Sequence, residues 1–152
     1  MPVWREVLES GGVRESVGNS IFQSLVGDVR VTVLGAIPLT EAELKDHIAE
    51  AVQWESQVRC VLVDVQPGGA LSPRDRVSLS NAGLLVKPTA VMVDSKLTRS
   101  ILTAVSWLGG NMAAFAPGAL DDACDHLNID ASQRMTIART LHSLRPRLKK
   151  PA

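Results

Sequence analysis

The middle of the chain holds an apolar segment, a glycine turn and a helix start in immediate succession. Residues 59–65 read Arg-Cys-Val-Leu-Val-Asp-Val, a β-branched run that is typical of a buried strand in a parallel sheet. Gly68 and Gly69 follow in a turn, and Ser72 before Pro73 predicts a helix N-terminus. In open α/β sheets, function is usually located in the loops at the carboxyl ends of the strands. The segment therefore predicts an α/β fold and makes this loop the candidate functional site.

Two earlier strands are predicted to form a hairpin. They cover residues 20–26 and 28–35, and the Gly27-Asp28 step between them suits a tight turn. In the second strand three valines alternate with Arg30 and Thr32. We therefore expect one face of the sheet to be wetter than the other.

Helices are predicted before and after the central strand. Thr40 begins a capping box, and the helix behind it should end near residues 55–57. The helix that starts at Ser72 should continue to the Lys87-Pro88 step, with Val77 on its core face.

The alternation continues through the C-terminal half. Residues 90–94 and 111–116 are predicted strands, and a helix over 95–108 separates them. A short helix at 120–127 and an amphipathic helix over 131–148 follow. This order predicts an α/β layer sandwich around a mixed four- to five-stranded sheet, with flanking helices and an extra C-terminal helix.

Three regions are distinguished along the chain. Residues 1–19 form an N-terminal extension, in which residues 3–8 make either a short docking helix or a flexible leader. Residues 20–129 form the α/β domain, and residues 130–152 form a C-terminal amphipathic helix with a basic tail. That helix either packs on the domain or mediates self-association, as in a homodimer, through its apolar stripe. The stripe comprises Ile137, Leu141 and Leu144.

Composition argues against several classes of partner and of structural site. Lys plus Arg and Asp plus Glu both count 16, so the net charge is zero and nucleic acid is not an expected partner. No apolar run approaches the roughly 20 residues that span a bilayer, so membrane insertion is not expected either. Cys60 and Cys124 have no CxxC neighbours, which disfavours a disulfide framework or a zinc site. We expect a cytoplasmic protein.

Few residues at the predicted carboxyl edge of the sheet could carry chemistry. Gly68-Gly69 before a helix start suits an anion cradle, but no loop lysine accompanies it, and a plain turn is favoured. Asp64, Asp94 and Ser95 are candidate anion or ligand contacts, and the two carboxylates side by side would suit magnesium. Hydrogen bonds to the amides of the following helix are the favoured role, because the sequence supplies no further ligands. We therefore predict no metal and no cofactor.

Nucleophilic catalysis is also disfavoured. His47, His126 and His142 all fall on predicted helices, away from the loops that a Ser-His-Asp arrangement would need. Cys60 and Cys124 are predicted to be buried and inert. The chain is therefore not expected to be an enzyme.

Three stretches resemble a known family in their order along the chain and in their pattern of apolar and polar residues. They are residues 33–35 leading to 39–44, residues 61–65, and residues 91–95 leading to 107–111 and 114–115. Together with the order of elements, they resemble the STAS fold of anti-sigma-factor antagonists and of the cytoplasmic domains of sulfate transporters, in particular its SpoIIAA-like branch. The resemblance covers about residues 20–129.

This resemblance implies a bacterial, cytoplasmic signalling module that acts by protein–protein interaction. Antagonist members of the family are switched by phosphorylation within an Asp-x-Ser-Gly motif after the central strand. Asp64 matches the Asp, whereas Gln66 and Pro67 stand where the Ser and Gly would be. The usual phosphoacceptor is thus missing, and Ser72 is the alternative phosphosite.

The predicted partner-binding surface is the loop and helix after the central strand. It comprises Gly68, Gly69, Ser72, Arg74 and Arg76. The alternative hypothesis is a small-ligand binding domain, in which a pocket beneath a loop takes a nucleotide, an anion or a lipid.

Overall fold

A mixed sheet whose strands follow one another in chain order forms the centre of the protein. The computed structural model describes residues 4–7, 13–16, 20–69, 72–94 and 111–148. Its strands are β1 (Trp4–Val7), β2 (Val13–Ser16), β3 (Ile21–Val26), β4 (Val29–Leu34), β5 (Cys60–Val65), β6 (Thr89–Met92) and β7 (Met112–Phe115). They form a seven-stranded sheet in the order β1 to β7. Neighbours from β1 to β4 pair antiparallel, and neighbours from β4 to β7 pair parallel. The predicted α/β class with a mixed sheet is confirmed.

Helices connect and cover these strands. They are α1 (Glu41–Trp54), α2 (Pro73–Asn81), α3 (Leu120–His126) and α4 (Ala131–Leu144), and short 3-10 turns follow α1 (Glu55–Gln57) and α4 (Arg145–Arg147). Thr40 and Ser72 each accept a hydrogen bond from the backbone amide three residues later, and both helices begin with a complete capping box, as predicted. Within the described residues, no helix has both the length and the apolar character needed to cross a membrane.

Both faces of the sheet are buried along β3 to β6, and each face has its own core. On one face α3 and α4 pack against the central strands, through a cluster that includes Val31, Leu62, Met92, Cys124 and Leu141. On the other face Trp54 of α1 packs against Leu25 and Val61, and α1 and α2 share Leu44 and Leu79. The expectation of a wetter face is wrong, because α1 and α2 cover the side to which Arg30 and Thr32 point. Each of those two residues is only 4% exposed.

Two further predictions about helices are corrected. Residues 4–7 form a strand, which neither of the two alternatives for residues 3–8 predicted. With β2 this strand adds two members to the five strands β3 to β7, which match the predicted four- to five-stranded sheet. Helix α2 ends at Asn81, because Gly83 takes a positive φ of 76° that terminates the helical path. Val77 is consequently 57% exposed and is not a core residue. The predicted helix over 95–108, and with it Ser95, lies outside the described residues.

The C-terminal helix packs on the domain, which is one of the two alternatives raised by its apolar stripe. Ile137, Leu141 and Leu144 are at most 1% exposed and belong to the larger core. The same side chains could mediate self-association only if α4 left the sheet.

Asp28 in the β3–β4 turn holds the start of α4 in place. Its Oδ1 accepts a hydrogen bond of 3.0 Å from Gln133 Nε2, and its Oδ2 accepts one of 3.0 Å from Arg59 Nε. Arg59 also donates to the Leu127 carbonyl at 2.7 Å. The bonds from Gln133 and Arg59 lower the pKa of Asp28, although partial burial opposes them.

Candidate functional site

Asp64, near the carboxyl end of the central strand, is engaged by the C-terminal segment. Its Oδ2 accepts a hydrogen bond of 2.7 Å from Arg145 Nε and one of 3.1 Å from Gln66 Nε2. The Asp64 side chain is almost fully buried, whereas the Arg145 side chain is 41% exposed. The carboxylate is therefore already neutralised by a residue that sequence reasoning did not assign to the site.

Asp94 does not stand opposite Asp64. The parallel register of β5 and β6 aligns Asp64 with Met92, the last residue of β6, so exposed Asp94 lies two residues beyond the end of that strand. The part of the chain that the structure describes contains no group of three His, Cys, Asp or Glu side chains able to hold a metal ion. Within those residues, Asp64 and Asp94 are thus not brought together with a further metal ligand.

The glycine turn is shaped by close backbone packing. Gly68 has a positive φ of 84°, and Gly69 N donates to the Gln66 carbonyl at 2.8 Å. A Cβ on Gly69 would lie 2.8 Å from the Gly35 carbonyl oxygen, which is closer than side chains tolerate. Since Gln66 N also donates to the Leu34 carbonyl, two amides of the loop are already used within the protein. These contacts favour the plain turn over the anion cradle.

A groove separates the beginnings of α1 and α2, at the carboxyl edge of the parallel strands. It has a volume of about 430 Å³. Arg74 Nη2 and Glu41 Oε1 form an ion pair of 3.0 Å on its rim, and both side chains are highly exposed. Leu39 and Ile48 supply apolar lining, and Lys45 adds a second positive charge. The groove thus presents apolar surface between charges of both signs.

The predicted partner-binding residues do not all face this groove. Ser72 and Arg74 line it, and the exposed Ser72 Oγ accepts a hydrogen bond of 3.1 Å from the Asp75 amide. Gly68 is exposed, but Gly69 is buried in the turn. Arg76 is half-buried on α2 and does not line the groove.

A small cavity between the sheet and helices α1 and α2 contains residues that sequence reasoning missed. Its volume is about 60 Å³, and its polar lining is Arg30, Thr32, His47 and Thr89. Burial lowers the pKa of Arg30 to about 10, and burial together with the Arg30 charge lowers the pKa of His47 to about 3. Arg30 therefore stays charged and His47 stays neutral near pH 7. The alternating strand pattern gave no sign of the cavity, because it suggested a solvated face.

The other candidate groups are separate from these sites. Cys60 and Cys124 are buried, as predicted, and burial raises the pKa of both thiols. The His126 ring packs against Phe115 with centroids 5.6 Å apart, and His142 lies on the exposed side of α4. Within the described residues, the structure brings none of the three histidines into hydrogen bonding with a serine.

In comparisons with protein-family models, with curated proteins and with solved structures, the chain matches none. The resemblance to STAS domains consequently stays a prediction from the sequence.

Proposed function

We propose that the chain is a non-enzymatic interaction module of STAS-like type, which binds a protein partner through the groove between α1 and α2. The observation that carries this proposal is the groove itself, which lies where the loops following β4 and β5 lead into their helices. In open α/β sheets, this edge is the usual binding location.

The composition of the groove suits a protein segment. A volume of about 430 Å³ accommodates several side chains, and the lining combines Leu39 and Ile48 with the charged residues Glu41, Lys45 and Arg74. Val52, which follows Ile48 by one helical turn on α1, is 48% exposed and continues the apolar side chains of that helix beyond the groove lining. Apolar contact at the centre with charges around it is the usual construction of a protein interface.

Local hydrogen bonds fix the starts of the two helices that border the groove. Both bordering helices begin in a complete capping box, at Thr40 and at Ser72, and Glu43 also accepts a hydrogen bond of 3.1 Å from the Ser20 amide. A preorganised rim lowers the entropy lost when a partner binds.

Ser72 is the proposed position of a phosphorylation switch on this surface. Its hydroxyl is exposed and caps α2, so a phosphoryl group would sit at the positive end of the helix. The same group would lie beside the Asp75 carboxylate and would replace the cap hydrogen bond. Modification would therefore change the charge and the order of the groove rim together.

The proposal is tested by co-purification with a tagged chain and two charge-reversal variants. Arg74→Glu reverses a rim charge, and it should leave the fold intact because the exposed Arg74–Glu41 pair contributes only about 0–1 kcal/mol. Arg139→Glu makes the same change on the exposed side of α4, away from the groove, and is the matched control.

We expect a partner protein to co-purify with the wild type and with Arg139→Glu but not with Arg74→Glu. The same difference should appear when the purified partner is mixed with each purified form. Equal retention by all three forms would place the interface elsewhere. Absence of a specific partner for the wild type would contradict the interaction-module proposal.

A further inference from the structure

A buried arginine without a full set of hydrogen bonds lies in the cavity between the sheet and α1. Arg30 is 4% exposed, and its Nε has no hydrogen-bond partner. Its Nη1 reaches Thr32 Oγ1 only at a long 3.5 Å. Burying a guanidinium with unsatisfied donors is costly unless an acceptor completes them.

No carboxylate of the described residues accepts a hydrogen bond from the Arg30 guanidinium. The ion pairs of the described chain do not include Arg30. Glu55 interacts with Arg30 electrostatically, but its Oε1 lies 3.8 Å from Lys87 Nζ. Among the described residues, the charge of Arg30 therefore has no directly bonded counter-ion.

We infer that this cavity binds a free short-chain carboxylate of about the size of acetate or propionate, with its carboxylate on Arg30 and its alkyl group against the apolar walls. A guanidinium presents donors that match the geometry of a carboxylate. Thr32, Thr89 and the neutral ring of His47 are the other polar groups of the lining. The remaining lining is apolar and includes Leu34, Leu44, Val63 and Leu79.

The volume restricts the ligand to small acids. On the measure by which one enclosed water needs about 10–15 Å³, the cavity volume of about 60 Å³ holds roughly four to six waters, so a carboxylate with one or two further carbons fits in it. A larger anion such as a nucleotide does not fit. The cavity offers one cation, on which the negative charge of Glu55 already acts, and this favours a monoanion over inorganic phosphate. The sequence raised small-ligand binding as an alternative function, and this cavity gives that alternative a defined site and ligand class. The inference does not depend on the proposed function of the groove.

The test is equilibrium dialysis of the full-length chain against radiolabelled propionate, with unlabelled competitors at constant ionic strength set by sodium chloride. Formate, acetate and propionate should compete with affinities that rise about fourfold per added carbon, as burial of each methylene predicts. Propionamide lacks the charge and should compete at least about tenfold more weakly than propionate.

Two variants locate the binding. Arg30→Met keeps the length of the side chain and removes its charge, and it should abolish saturable binding. Arg139→Met makes the same change at an exposed position on α4 and should bind as the wild type does. In differential scanning fluorimetry, propionate should raise the Tm of the wild type and of Arg139→Met, and it should leave the Tm of Arg30→Met unchanged.

Several results would overturn the inference. They are absence of saturable binding to the wild type, equal competition by propionamide, tighter binding of chloride than of propionate, or unchanged binding by a folded Arg30→Met. The dialysis and competition on the wild type decide the matter even if Arg30→Met does not fold. Arg74→Glu should bind propionate normally, so failure of the groove proposal is distinguishable from failure of this one.

Discussion

The ion pair between Asp64 and Arg145 should respond unequally to removal of its two partners. The Asp64 side chain is 8% exposed and the Arg145 side chain is 41% exposed. Arg145→Gln leaves a buried carboxylate with only the 3.1 Å hydrogen bond from Gln66, whereas Asp64→Asn leaves a cation that can turn into water. The first change should therefore cost more stability than the second.

The magnitudes follow from the two environments. Losing a hydrogen bond to a charged group costs about 1.5–3 kcal/mol, and Asp64→Asn should fall near the lower value because Arg145 can be rehydrated. Breaking a fully buried pair costs about 3–5 kcal/mol, and Arg145→Gln should fall near or slightly below the lower value because Gln66 still donates to the carboxylate. The double variant should cost less than the sum of the single changes, with a coupling of about 1–2 kcal/mol.

Urea unfolding at pH 7 measures these differences, provided that the slope of the free energy of unfolding against urea is unchanged. Arg139→Gln is the control, since it removes an exposed arginine from the same C-terminal region. The reasoning would be refuted if Asp64→Asn proved as costly as Arg145→Gln. Additive single changes, within about 0.3 kcal/mol, would show that the two side chains do not interact.

Three further predictions concern the turn, the cavity and the thiols. Gly69→Ala should destabilise the protein by about 1–3 kcal/mol in urea unfolding, because its Cβ would meet two backbone oxygens. The loss should exceed that of Gly83→Ala, where φ is positive but the space around the Cβ is open. His47 has a pKa of about 3 in the folded protein, so the unfolded chain binds its proton first and stability should fall as pH drops below about 6.5, by about 1.4 kcal/mol at pH 5.5. His47→Gln should remove this pH dependence and His126→Gln should retain it; the same dependence in both variants would contradict the assignment. The two buried cysteines should resist an aromatic disulfide reagent in the native state and react fully in denaturant, and rapid native labelling would contradict their burial.

Local signals in the sequence predicted the framework well. The capping boxes at Thr40 and Ser72, the Gly27-Asp28 turn and the β-branched central strand each depend on neighbouring residues, and each occurs as predicted. Such signals fix where elements begin, because capping and turn geometry are satisfied within a few residues.

Features that depend on distant packing were not predictable in the same way. The alternation of Arg30 and Thr32 with valines is compatible with a solvated face, and only the position of α1 and α2 makes that face buried. Val77 has a helical spacing that suits a core, yet the early end of α2 leaves it exposed. Arg145 lies 81 residues from Asp64, so no local pattern could connect them.

The placement of α4 also determines when the protein can fold during synthesis. Asp28 in the first hairpin is bonded to Gln133, 105 residues later, and the valines of β4 are covered by Ile137 and Leu141. At a synthesis rate of about 5–20 residues per second, roughly 5–20 s pass between the emergence of β4 and that of α4. During that interval one apolar face of the nascent sheet has no cover, so we expect chaperones to engage the growing chain before its C-terminal helix appears.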